Sequence, residues 1–133
     1  MATILRFEDL EVWQKAREIS KYVFLLTNKD NFSRDFSLKD QIKRSCGSAM
    51  DNIAEGFERD GNKEFINFLT ISKGSVGEIR SQTYRAFDYN YITQEEYDYL
   101  IKETISLSER LGKFISYLRK SEFKGVKFKR DNE

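Results

Sequence analysis

The sequence predicts an all-α protein, an antiparallel up-down four-helix bundle, and three observations predict it. Among 133 residues there is no proline, where average usage of about 5% gives roughly six or seven. Chains rich in strands or loops place proline at edges and turns, so its absence favours long uninterrupted helices. Four stretches carry apolar residues spaced by three and four, the period of a helix with one buried face. Short polar joints separate those stretches, which makes consecutive helices antiparallel. A composition of 39% apolar and 34% charged residues suits one folded domain with a single core.

The elements follow in order. Asp9 is the expected N-cap of a first helix carrying Leu10, Trp13, Ala16, Ile19, Val23 and Leu26. Asn28-Lys29-Asp30-Asn31 reads as a polar turn. Ser37, three residues before Asp40, is a capping-box variant that opens a second helix with the stripe Leu38, Ile42, Cys46, Ala49, Ile53 and Phe57. In Asp60-Gly61-Asn62, glycine suits a helix end and asparagine the next N-cap. The third stripe is Phe65, Phe68, Leu69, Ser72, Val76, Ile79, Thr83, Ala86 and Phe87. Thr93-Gln94-Glu95-Glu96 is a full capping box, with Ile92 and Tyr97 placed as a hydrophobic staple. The fourth stripe runs from Tyr97 through Leu100, Thr104, Leu107, Leu111, Phe114 and Ile115 to Leu118. The expected bundle spans residues 1–119, with helices over about 9–28, 38–59, 63–89 and 94–119, and a basic-aromatic tail spans 120–133. The five tyrosines around the last joint, Tyr84, Tyr89, Tyr91, Tyr97 and Tyr99, are expected to pack around it.

Several activities lack their chemistry here. With no histidine, Ser-His-Asp and Cys-His catalysis, His-ligated zinc and Glu-x-x-His di-iron sites are excluded. One cysteine forms neither an internal disulfide nor a thiolate cluster, as suits a reducing cytoplasm. No signal-peptide pattern and no run of about 18 apolar residues is present, so no membrane association is expected. Neither cofactor nor metal is expected.

Helices two and three carry more than one specialised face. Thr70, Gly74, Gly77 and Ser81 form a small-residue seam at helical spacing. Each mid-helix glycine costs about 1 kcal/mol relative to alanine, so the seam is expected to receive a close neighbour, either another helix of the bundle or a second subunit. Arg44, Asn52, Glu55, Lys73 and Glu78 are expected to form a structural network of charge-assisted hydrogen bonds rather than an active site. Cys46 lies on the apolar stripe and is expected to be a small buried hydrophobe.

The stretch Gln41–Gly56, QIKRSCGSAMDNIAEG, resembles the four-helix-bundle family encoded in intervening sequences of bacterial 23S rRNA genes, whose relatives include accessory proteins of diversity-generating retroelements. Phe7-Glu8-Asp9-Leu10 with Val12-Trp13-Gln14-Lys15-Ala16 resembles the family's opening. Asn52-Ile53-Ala54-Glu55-Gly56 resembles its signature, and Lys73-Gly74-Ser75 with Glu78 its third-helix motif. Many members have proline where this chain has Met50 and isoleucine where it has Ala49; methionine leaves the second helix uninterrupted. The resemblance implies a homo-oligomer, a ring-shaped pentamer, and an association with nucleic acid among the retroelement relatives. It transfers no catalytic residue.

The net charge of +1 hides a gradient. Residues 1–118 hold 17 basic and 19 acidic residues, whereas residues 119–130 hold six basic residues and one acidic. Arg119, Lys120, Lys124, Lys127, Phe128, Lys129 and Arg130 are therefore the candidate nucleic-acid contacts, combining cations for phosphate with an aromatic ring for base stacking. The expected function is a non-catalytic oligomeric scaffold that binds RNA or DNA. The alternative is a protein-interaction module that makes no direct nucleic-acid contact.

Overall fold

The structure is a computed structural model that describes residues 4–122. Within them the chain is all-helical, with five α-helices after one 3-10 turn at Phe7–Asp9 and no strand. The helices are α1 Glu11–Thr27, α2 Asp30–Arg34, α3 Phe36–Glu58, α4 Asn62–Asp88 and α5 Gln94–Glu122. The four long ones match the four apolar stripes. α3 packs on α4, α4 on α5, and α1 on both α3 and α5, so the contacts close around one core. Leu38, Ile53, Phe57, Phe65, Leu69, Leu107 and Leu111 are fully buried there. The buried hydroxyls of Thr27, Thr83 and Thr104 donate to the carbonyls of Phe24, Ile79 and Leu100 in their own helices, so the core holds them satisfied.

The joints differ most from expectation. The first is not a turn but the short helix α2, whose Phe32 is 99% buried and stacks on Tyr91 with ring centroids 5.2 Å apart. Its single large apolar side chain gave no periodic signal. Asp9 does not cap α1; it ends the 3-10 turn, and Leu10 holds the N-cap position with no side-chain bond. Asp35 rather than Ser37 caps α3, accepting from the Leu38 backbone N–H at 3.0 Å, while the Tyr91 hydroxyl donates to its other oxygen at 2.8 Å. An aspartate two residues earlier thus satisfies an orphan donor and ties the α3 start to the α4–α5 joint. Gly61, with φ +85°, takes the N-cap position of α4, and Asn62 is the first helical residue. The Asn62 amide donates to the Leu118 carbonyl at 3.3 Å, linking α4 to α5.

The capping box at the last joint forms as expected. The Glu96 N–H donates to Thr93 Oγ1 at 3.1 Å, and the Thr93 N–H donates to Glu96 Oε1 at 2.8 Å. Glu96 Oε2 also accepts from Lys29 at 2.6 Å, so one carboxylate caps α5 and anchors the chain after α1. Asn90 takes the left-handed conformation at φ +62° just beyond α4. The tyrosines pack as expected, Tyr84 against Tyr97, Tyr89 against Tyr91, and Tyr99 against Tyr22.

The tightest helix approach lies between α3 and α4. A Cβ placed on Gly56 would come within 2.7 Å of Phe68 Cβ and 2.9 Å of Phe65 Cδ1, far inside contact distance. Along the same line the Ser72 hydroxyl donates to the Ala49 carbonyl at 2.7 Å, and Ser75 Oγ donates to Ser48 Oγ at 2.7 Å. The predicted seam of Thr70, Gly74, Gly77 and Ser81 is elsewhere. All four are exposed, and a Cβ on Gly74 or Gly77 would meet nothing within 4 Å. The seam therefore does not pack inside the bundle.

Gly56→Ala is expected to lower stability by about 1–3 kcal/mol in urea denaturation, because the aromatic neighbours must shift; an unchanged midpoint would contradict the close approach. Asp35 is expected to give an acid-sensitive cap. The hydrogen bond from the Leu38 N–H, then that from Tyr91, holds its carboxyl below the usual range. A depressed native pKa means the stabilisation is full above the ordinary aspartate range and is lost as pH falls through the native pKa. Asp35→Ala should cost about 0.5–2 kcal/mol at pH 7 and less as pH falls through that region, as read from urea midpoints across the series.

Candidate nucleic-acid interface

The candidate contacts divide at the end of α5. Arg119 and Lys120 occupy its last described turns and are exposed, placing two cations where the helix C-terminus favours positive charge. The helix thus continues past the expected start of the tail. Lys124, Lys127, Phe128, Lys129 and Arg130 lie outside the described residues.

The candidate polar network does not assemble. Arg44 pairs with Asp40 at 2.8 Å, the Asn52 amide donates to the Ser48 carbonyl at 2.8 Å and its hydroxyl at 3.0 Å, and Glu55 accepts from Arg59 at 2.9 Å. Each bond spans one turn, within α3 or from it to its C-cap residue Arg59. Lys73 and Glu78 are exposed on α4, and no bond joins any of the five to another. The reason is geometric: i, i+4 partners on the same helix are nearer than partners across the helix gap.

Charge across the gap is concentrated instead between α1 and α5. There Lys15 Nζ lies 2.5 Å from Glu103 Oε1, both side chains largely shielded, and Arg110 pairs with Glu11. These residues line an open groove, and a neighbouring depression of about 580 Å³ extends it past Leu10, Glu109, Lys113 and Phe114. Opposite charges alternate along this groove, so it offers no single-sign field to a polyanion. Cys46 is buried, and burial pushes its thiol up to about 12; it is protonated at neutral pH and not nucleophilic. Among the described residues no group of His, Cys, Asp and Glu is arranged to hold a metal ion, and no helix is long and apolar enough to cross a membrane.

Sequence reading assigned aromatic–cation pairing to the tail alone, but the folded surface has more. Arg17 lies over the Trp13 ring at 5.8 Å, one turn away on α1. Lys43 of α3 lies over the Phe24 ring of α1 at 5.4 Å. The first pair is legible from its i, i+4 spacing; the second arises only when α1 and α3 pack.

Residues 8–113 match the 23S rRNA-intervening sequence protein family. This chain belongs to that family. A solved protein of unknown function from the S23 ribosomal protein family of Bacteroides thetaiotaomicron is similar in fold, with a TM-score of 0.72 and 26% identity. The match covers 79% of this chain and 95% of that one. No curated protein matches the chain. The segment Asn52–Gly56, which carries the family resemblance, does structural work in this fold: Asn52 ties to Ser48, Ile53 is fully buried, and Gly56 admits Phe65 and Phe68.

Proposed function

We propose that this family member is a non-catalytic oligomeric scaffold, a cytoplasmic antiparallel up-down bundle assembling as a ring-shaped pentamer that binds RNA or DNA through basic surfaces and its C-terminal segment. The segregation of charge carries the reading: six cations against one acid over residues 119–130, beside an acidic-leaning remainder. Such a segment neutralises phosphates, and several copies in one assembly convert weak contacts into avidity. The resemblance to accessory proteins of retroelements implies the same class of partner.

Assembly is supported by the outward face of α4. Thr70, Gly74, Gly77 and Ser81 leave it without bulk, Ile71 beside them is 51% exposed, and the two glycines carry a helix-propensity cost with no close contact among the described residues to require them. A neighbouring subunit's helix would be admitted to close range there.

Two measurements test the proposal together. Light scattering should give a mass several times the 15.8 kDa of the chain, and Gly74→Leu with Gly77→Leu should reduce it without lowering the helical content. Affinity for RNA or single-stranded DNA should fall steeply with salt, and removing residues 123–133 should flatten that dependence. A monomer at every concentration would refute assembly, and no binding at low salt would refute the nucleic-acid role.

A further inference from the structure

Two shallow depressions on the α1–α3 side of the molecule meet at one contact. The first, of about 440 Å³, is lined by Arg17, Lys21, Phe24 and Met50 among others. The second lies against the start of α3 and includes Phe36, Lys39 and Lys43. They join where Lys43 Nζ stands 5.4 Å from the centre of the Phe24 ring.

Phe24 is 51% and Phe36 76% exposed, the two most exposed phenylalanines among the described residues. Leaving such rings in water forfeits their burial energy, so a monomer gains nothing from them in these places. Four cations, Arg17, Lys21, Lys39 and Lys43, run beside them, and none of their side chains makes a hydrogen bond or ion pair among the described residues. The nearby acids are directed elsewhere. Asp40 is held by Arg44 at 2.8 Å, and Glu18 lines the α1–α5 groove with Tyr99 and Glu103. The bundle is acidic in sum, yet this strip carries four cations against Asp40, the one acid that lines it, which Arg44 holds.

We propose that this strip is a binding track for single-stranded nucleic acid, with Arg17, Lys21, Lys39 and Lys43 on phosphates and the Phe24 and Phe36 rings stacking on bases. The proposal rests on the nucleic-acid reading above and adds a contact on the bundle to that of the C-terminal segment. Unpaired bases are required, because a duplex keeps its base faces stacked and unavailable to a side-chain ring. From the Phe24–Lys43 contact each depression runs about two helical turns, roughly 10 Å each. An excess of positive charge interleaved with exposed rings fits this ligand better than an apolar protein partner, which would leave these cations without anions.

The test uses the full chain and a short fluorescein-labelled oligouridine, with the matching RNA duplex and an acidic amphipathic peptide as comparison probes. Lys21→Glu with Lys43→Glu should weaken oligouridine binding and reduce the log–log salt slope by about 1.4, at about 0.7 per phosphate contact on a single strand. Phe24→Ala with Phe36→Ala should weaken it about tenfold or more with the slope unchanged. All four side chains are at the surface, so circular dichroism melts should match the parent; if the glutamate pair melts early, Lys21→Ala with Lys43→Ala replaces it. Loss of binding in these variants, with residues 123–133 intact, supports the track. Unaltered binding in these variants, with loss only on removing 123–133, overturns the track and leaves the broader nucleic-acid role standing. Failure of the intact protein to bind oligouridine at low salt overturns both. Preference for the duplex or for the acidic peptide also overturns the track.

Discussion

The approach of α3 to α4 is the constraint on which the rest of the structure depends. At Gly56 the α3 backbone comes so near that a single methyl would sit 2.7 Å from Phe68 Cβ. One turn back, Asn52 ties to Ser48, and beyond it Ser72 and Ser75 bond across the gap to Ala49 and Ser48. Small residues permit the approach, and their hydroxyls satisfy groups that would otherwise be buried without partners. With that spacing set, Phe65 reaches edge-on to Phe57 on one side and Phe114 on the other, bringing α5 into the same aromatic cluster.

Fixing α4 by one side leaves its opposite side without a neighbour among the described residues. Thr70, Gly74, Gly77 and Ser81 lie there, so their smallness answers no packing demand inside the monomer. The two glycine-bearing stretches thus differ in kind. Gly56 is required by its surroundings, whereas Gly74 and Gly77 face open space. The small-residue pattern in sequence is similar in both, and only the helix rotation separates them.

Two carboxylates at helix starts also tie separate elements together. Asp35 and Glu96 each do two jobs, capping one helix and bonding a residue from another element, Tyr91 and Lys29 respectively. Glu96 is partly buried, which pushes its carboxyl up, but the Lys29 bond and the Thr93 N–H outweigh this and hold it below the usual range. The charges on the α1–α5 side neutralise one another, whereas on the α1–α3 side Arg17, Lys21, Lys39 and Lys43 have no acidic partner among the described residues. That asymmetry, and not the near-zero net charge, is the electrostatic character of the molecule.

Much of the fold was legible in the sequence because periodicity and capping are local. The four apolar stripes coincide with the four long helices, and the Thr93 box forms as its residues dictate. The departures fall where local signals compete or vanish. Asp35 prevails over Ser37 because Tyr91, distant in sequence, reinforces it. α2 went unseen because one buried phenylalanine has no period. The polar network expected from Arg44, Asn52, Glu55, Lys73 and Glu78 fails because neighbours one turn away on the same helix capture the first three. The sequence by itself determined the helices, their approximate ends and the absence of histidine chemistry, all properties of residues near one another along the chain. Only the tertiary structure decided which small residues are squeezed, which cations stay unpaired and which rings they border, because each depends on how one helix is turned against another.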